Sequence, residues 1–198
     1  PPEYNGYKVY WEDGAQIVEP TDKEIINEVN AITDFSTIKT MDKTDAERKG
    51  LYNTIGKEID DKYIETLKKL VVNQDAINKM QKDIKIVYTP LHGTGNIPVQ
   101  RILKEIGFEN VYVVPEQENP DGEFPTVSYP NPEDPQVFEI ALDMAKTSNP
   151  DIIFGTDPDC DRIGVVVKDS EGNYRVLNGN QTGLLLTEYI LSSLKEEN

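Results

Sequence analysis

Cysteine occurs once in these 198 residues, basic side chains number only 20 against 36 acidic ones, and long apolar runs are absent. Each shortage removes a class of explanation. One thiol, Cys160, cannot close an internal disulfide, which agrees with a reducing compartment. No stretch approaches the roughly 20 apolar residues that span a bilayer, and no charged-then-apolar leader opens the chain, so no membrane partner is expected and a cytoplasmic location is. A formal net charge of −16 opposes any large interface with a phosphate backbone, so no nucleic acid is expected either. Most of the acidic surplus reads as solvated surface, except where carboxylates converge.

What is present is an alternation of strand and helix patterns. Tyr7, Val9 and Trp11 alternate with polar or amphipathic neighbours, and the Asp13-Gly14 turn leads to Gln16-Ile17-Val18, which predicts a β-hairpin. Thr21-Asp-Lys-Glu24 has the form of a capping box ahead of a short helix. Residues 32–58 are polar and weakly periodic, a connection. From Asp61, the apolar positions Tyr63, Ile64, Leu67, Leu70 and Val71 mark an amphipathic helix, and Ile84 to Tyr88 a buried strand. Asn96 is a candidate N-cap, Pro98 an early helical proline, and Gly107 a left-handed C-cap.

Val111 to Val114 read as a second strand. Six prolines between Pro115 and Pro135 then exclude a regular helix or central strand, which leaves a long ordered loop. A helix over 135–148, a strand at Ile152–Gly155, a hairpin through Ser170-Glu-Gly-Asn173 and a last helix capped by Asn180 complete the pattern. The expected fold is a three-layer α/β/α sandwich with a mixed, mostly parallel sheet and an antiparallel edge hairpin. No internal repeat is visible.

The chemistry concentrates in Asp157-Pro-Asp159-Cys-Asp161-Arg162, directly after the strand. In extended backbone alternate side chains share a face, so the three aspartates are expected to point at one place. Carboxylates so close repel unless a cation lies between them. An all-oxygen donor set favours Mg²⁺ over Zn²⁺, with phosphate or water completing the octahedron. An EF-hand is excluded, because its sixth and twelfth positions would be Arg162 and Lys168 rather than glycine and glutamate. A phosphatase of the haloacid-dehalogenase type, with Asp157 as nucleophile, stays open, although Asp161 stands where that motif usually has Thr or Val.

Arg162 is either an ion-pair partner of the loop or a fork for a phosphorylated substrate. The loop Thr89-Pro-Leu-His92-Gly-Thr-Gly95 could offer N–H groups to phosphate, but glycine is equally what a tight strand-to-helix turn needs. A hydrogen-bonded structural role for His92 is at least as plausible on sequence as a catalytic one. Cys160 reads as a small filler.

Asn5-Gly-Tyr-Lys8, Tyr88-Thr-Pro-Leu-His92-Gly-Thr-Gly95 and Asp157-Pro-Asp-Cys-Asp-Arg162, in that order and at those separations, resemble the α-D-phosphohexomutase family, most closely its bacterial phosphoglucomutase and phosphomannomutase branch. The resemblance implies an intramolecular phosphotransferase that moves phosphoryl between C1 and C6 of a hexose phosphate through an active-site phosphoserine and Mg²⁺. It places Asp157, Asp159 and Asp161 as metal ligands, Lys8 as the lysine proposed for proton transfer, and Arg162 beside the substrate. Glucose phosphates are the implied partners, with mannose phosphates an alternative that depends on a loop lying outside this sequence.

Family members have four domains. The resemblance assigns 1–20 to the end of the phosphoserine domain, 21–58 to a connection, 59–178 to the complete metal-loop domain and 179–198 to the start of the third. The family's Ser-His-Asn segment is expected upstream of Pro1, so the 198-residue chain is expected to be inactive alone. A self-contained metal-binding or interaction module without catalysis is the competing reading.

Overall fold

A computed structural model describes residues 8–196, in two compact units, Pro1–Ile55 and Gly56–Asn198. Within the first, the expected hairpin reduces to one antiparallel bridge between Tyr10 and Gln16, and its part before Lys8 lies outside the described residues. The turn is closed by Trp11 donating to the Ala15 carbonyl at 3.1 Å. Helix α1 (Thr21–Ala31) follows, with Pro20 rather than Thr21 at its N-cap and no side-chain cap, so the capping box does not form. The stretch read as a plain connection contains a 3₁₀ turn at Phe35–Thr37 and helix α2 (Lys43–Arg48), which Asp42 caps by accepting from the Thr44 and Asp45 N–H groups.

The second unit carries the sheet. Helices α3 (Lys57–Lys68) and α4 (Gln74–Met80) precede strand β1 (Lys85–Thr89). Then come α5 (Asn96–Ile106), β2 (Asn110–Val113), the short α6 (Pro115–Glu118), α7 (Glu139–Ser148), β3 (Ile152–Thr156), β4 (Ile163–Lys168), β5 (Tyr174–Leu177) and α8 (Gly179–Glu196). The proline-rich segment is therefore irregular except for α6, where Pro115 takes a first-turn position that needs no N–H donor, and for the 3₁₀ turn Pro135–Phe138 at its end.

Strand order is β2-β1-β3-β4-β5, with β2, β1 and β3 parallel and β4–β5 an antiparallel hairpin at one edge. This is the expected mixed sheet. Leaving β1 the chain crosses through α5 to β2, and leaving β2 it crosses back through α7 to β3. Crossovers of this kind are right-handed, so the reversal sets α5 and α7 on opposite faces and produces three layers. Because β1 lies between β2 and β3 with both its faces covered, Ile86, Val87, Tyr88 and Thr89 are all buried. Val87, Ile153, Val166, Phe138, Ala141 and Ala145 form the middle of the core.

Several helix starts differ from the sequence reading: α3 begins at Lys57 rather than Asp61, and the helix read over 135–148 is a 3₁₀ turn at Pro135–Phe138 followed by α7. The N-cap of α5 is Gly95, which leaves Asn96 as its first residue, whereas Gly107 caps the other end at φ 119° as expected. Helix α8 starts before Asn180. Asn178 accepts from the Gln181 N–H, and the Gln181 side chain accepts from the Asn178 N–H, both at 2.9 Å, a reciprocal box two residues earlier.

Candidate metal centre

The reversal of crossovers falls between β1 and β3, so the loops leaving these neighbouring parallel strands meet at one sheet edge. Open α/β sheets bind ligands at such a switch point. The loop after β1 is 90–95 and the loop after β3 is 157–162.

The aspartates converge by a different route from the one expected. Asp157 accepts the Cys160 N–H on its backbone carbonyl at 3.0 Å, closing a turn across Pro158 and Asp159. Proline suits the second position of such a turn, and Cys160 follows in the left-handed region at φ 64°. Extended alternation ends at Thr156, and the turn folds the three carboxylates together. One oxygen from each of Asp157, Asp159 and Asp161 lies within 4.8 Å of the others.

Their surroundings are unequal. Asp157 is 1% exposed, whereas Asp159 and Asp161 face solvent. Asp157 Oδ1 accepts the N–H groups of Asp161 (3.1 Å) and Arg162 (2.9 Å), and Oδ2 accepts Arg162 Nε at 3.0 Å. Burial works to raise the Asp157 pKa. The Arg162 N–H, the hydrogen bond with Asp159 and the Arg162 guanidinium outweigh it, so the carboxyl is held below its ordinary value. Asp159 moves the other way, pushed up by the hydrogen bond it shares with Asp157, then by burial and by the charges of Asp157 and Asp161.

Carboxylates crowded in this way favour a cation between them. Three oxygen donors with no nitrogen or sulfur suit a hard divalent cation, and Asp157 Oδ2, which takes one hydrogen bond, and the carboxylate oxygens of Asp159 and Asp161 keep acceptor capacity. The residues present therefore fit Mg²⁺.

Arg162 is the link to the proline-rich segment. Its Nη1 donates to Asn131 Oδ1 at 3.3 Å, and its Nε also lies 3.7 Å from Asp161 Oδ1. Sequence reasoning did not find Asn131. Its only signal was a second short turn in the Pro130-Asn-Pro132 stretch, where Asn131 also accepts the Glu133 N–H at 3.1 Å.

His92 is held structurally. Its Nδ1 donates to the Asn119 carbonyl at 3.0 Å, which leaves Nε2 to accept from the Thr126 hydroxyl at 2.8 Å. Thr126 in turn accepts from Gln117 Nε2 (3.2 Å), whose Oε1 accepts the Thr89 hydroxyl (2.7 Å), and Thr89 accepts the Leu91 N–H (3.1 Å). Thr89 and Gln117 are fully buried. This chain was invisible in the sequence, since its members lie up to 34 residues apart.

The glycines after His92 serve proximity. A side chain on Gly93 would strike the Pro158 backbone, and one on Gly95 would meet the Tyr88 hydroxyl at 2.6 Å and Cys160 Sγ at 2.8 Å. Cys160 is thus a filler packed against the neighbouring loop, as the sequence suggested. Beside the loops, Asp60, Tyr63, Ile97, Arg101, Asp159 and Cys160 help to line a cleft of about 510 Å³. Lys8, the remaining candidate, is an exposed residue of the first unit, ahead of the Tyr10 bridge.

Comparison with known proteins gives a consistent picture. Residues 61–172 match the family model described as phosphoglucomutase/phosphomannomutase, alpha/beta/alpha domain II, and residues 1–35 match alpha/beta/alpha domain I of the same description. A human protein named phosphopentomutase is 37% identical over 199 aligned positions, covering 100% of this chain and 32% of the relative. A phosphoglucomutase of Staphylococcus epidermidis is 35% identical, covering 96% of this chain and 34% of its own. A solved phosphoglucomutase/phosphomannomutase family protein from Burkholderia thailandensis aligns with TM-score 0.49 and 23% identity over 68% of this chain and 26% of that one. The chain spans about a third of the length of the curated relatives it matches.

Proposed function

The chain belongs to the phosphoglucomutase/phosphomannomutase family, and we propose that it supplies the metal-bearing domain of a phosphomutase acting on hexose phosphates, most directly glucose 1-phosphate and glucose 6-phosphate. The observation that carries this reading is the convergence of Asp157, Asp159 and Asp161 beside Arg162 at the switch point of the sheet. Asp157, Asp159 and Asp161 would hold Mg²⁺, which when bound screens the negative charge of a phosphoryl group in transfer.

The chain's own residues do the positioning. Arg162 is anchored through Nε on Asp157 and through Nη1 on Asn131. Its remaining N–H donors are then available to an anionic ester, the fork geometry that suits phosphate. Asp157 is fixed by two backbone N–H groups, so the carboxylate that turns least is also the most buried. Lys8 is proposed to move a proton near the phosphoserine of the longer protein. The domain boundaries 1–20, 21–58, 59–178 and 179–198 and a cytoplasmic location belong to the same proposal.

The phosphatase alternative asks Asp157 to attack phosphorus. A buried carboxylate whose two oxygens both accept hydrogen bonds is poorly placed for that. Pentose phosphates form a second substrate reading, favoured by the human relative named phosphopentomutase.

No Ser-His-Asn segment occurs in the 198 residues, whose single histidine precedes Gly93. The 198-residue polypeptide is therefore expected to show no mutase turnover. The longer protein is expected to interconvert glucose 1-phosphate and glucose 6-phosphate and to lose that activity at least about 100-fold in Asp159→Asn, as loss of a charge-stabilising group costs. Coupled assays with glucose, mannose and ribose phosphates separate the substrate readings, and full turnover in Asp159→Asn would sink the proposal.

A further inference from the structure

The Pro158 carbonyl takes two hydrogen bonds from a single residue of the neighbouring loop. Thr94 donates its backbone N–H at 2.8 Å and its hydroxyl at 3.0 Å. Pro158 stands between Asp157 and Asp159, and the peptide unit that begins at its carbonyl leads into Asp159. Whatever holds that carbonyl therefore sets the direction of Asp159 relative to Asp157.

The base of this clamp is held by several hydrogen bonds. Leu91 and His92 occupy the left-handed region at φ 46° and 60°, a conformation that costs non-glycine residues free energy unless the surroundings impose it. They are imposed by the His92 N–H on the Gln117 carbonyl at 2.9 Å, by the Leu91 N–H on Thr89 at 3.1 Å, and by both ring nitrogens of His92. The two loops also approach closely at Gly93, where a Cβ would clash with the Pro158 backbone.

Cations differ in what they demand of such a loop. Mg²⁺ requires a near-ideal octahedron of short oxygen contacts, whereas Ca²⁺ accepts longer distances and irregular geometry. A loop free to spread would lose affinity for the smaller ion first. We infer that Thr94 is a selectivity-determining positioning residue, whose clamp on the Pro158 carbonyl holds the aspartate loop at the spacing that favours Mg²⁺ over Ca²⁺. This rests on the metal reading proposed above and deepens it.

The test uses the 198-residue chain titrated calorimetrically with MgCl₂ and with CaCl₂. Thr94→Val removes the hydroxyl while keeping the side-chain shape and the N–H, and Thr94→Ser restores the hydroxyl. Valine is expected to weaken Mg²⁺ about five-fold, the equivalent of one hydrogen bond of about 1 kcal/mol, and Ca²⁺ by less than about two-fold. Serine is expected to stay within about two-fold of wild type for both ions. Equal weakening of the two cations by valine, no weakening, or failure of serine to rescue overturns the inference. Asp159→Asn serves as the control: if it leaves Mg²⁺ binding unchanged, the metal reading itself is wrong and this inference falls with it.

Discussion

Replacing Asp159 by Asn should stabilise the metal-free chain while removing its response to Mg²⁺. The three carboxylates have oxygens within 4.8 Å of one another, and at that separation a pair of unit charges in a water-like dielectric repels by about 0.9 kcal/mol. Asp159 faces two such neighbours, and among the described residues no hydrogen bond to a backbone N–H of another residue or to a basic side chain is lost with its charge. Exposure and counter-ions reduce the total, so a net gain of about 1 kcal/mol is expected, or roughly 3 °C in Tm for a unit of this size.

The assay is thermal unfolding followed by circular dichroism, with and without about 5 mM MgCl₂, at low and at high salt. Wild type should gain Tm with Mg²⁺ by ligand linkage, and Asp159→Asn should gain little. The variant's advantage without Mg²⁺ should shrink as salt rises, because screening removes the repulsion it relieves. A variant less stable than wild type in the absence of metal would refute the reasoning. So would an advantage insensitive to salt.

Two further expectations test other parts of the structure. Gln117→Leu should cost about 2–4 kcal/mol, because it strands the buried Thr89 hydroxyl and the Val137 carbonyl that Gln117 now satisfies; a loss below about 1 kcal/mol by urea denaturation would mean that the network rearranges. Arg101 on α5 reaches across to Asp61 of α3 at 2.6 Å and pairs with Glu105 one turn along its own helix at 2.7 Å. The Lys57 and Arg101 hydrogen bonds hold the Asp61 carboxyl below its ordinary 3.8, and Arg101 lowers that of Glu105. A carboxylate with a depressed folded pKa stabilises above its unfolded pKa, and that contribution disappears as pH falls through the folded value. The urea midpoint of Arg101→Met should therefore lie below wild type at pH 7, and the gap should narrow below about pH 4. An unchanged gap at both pH values would refute the assignment.

The alternation of strand and helix was legible because the apolar periods of β1, α5, β3 and α7 are long enough to be distinct, and Gly107 could be read as a cap because few residues take its conformation. The acidic loop was legible as chemistry but not as geometry. Period-two reasoning assumes extended backbone, and the Asp157–Cys160 turn breaks that assumption one residue after the strand ends. Helix caps were misassigned at Thr21, Asn96 and Asn180, since a capping side chain can also sit one or two places inside a helix, and only the backbone angles decide; the helix read from 135 opens as a 3₁₀ turn before α7. The braces of the site were not legible at all. Asn131, Gln117 and Thr126 come from a proline-rich stretch with no periodicity, and their partners are fixed by tertiary packing alone.

The hydrogen-bond chain from Leu91 to Asn119 has a sense that cannot be reversed. At one end stands a backbone N–H, which can only give a proton, and at the other a carbonyl, which can only receive one. Every hydroxyl, the Gln117 amide and the His92 tautomer between them is thereby assigned a single orientation. Chains of hydroxyls bounded by groups of mixed character flip collectively between two equivalent states; this one has no second state to visit. The Thr126 and Thr89 hydroxyl protons should accordingly be slow to exchange and visible by NMR, as reporters of whether the segment that seats Arg162 is closed.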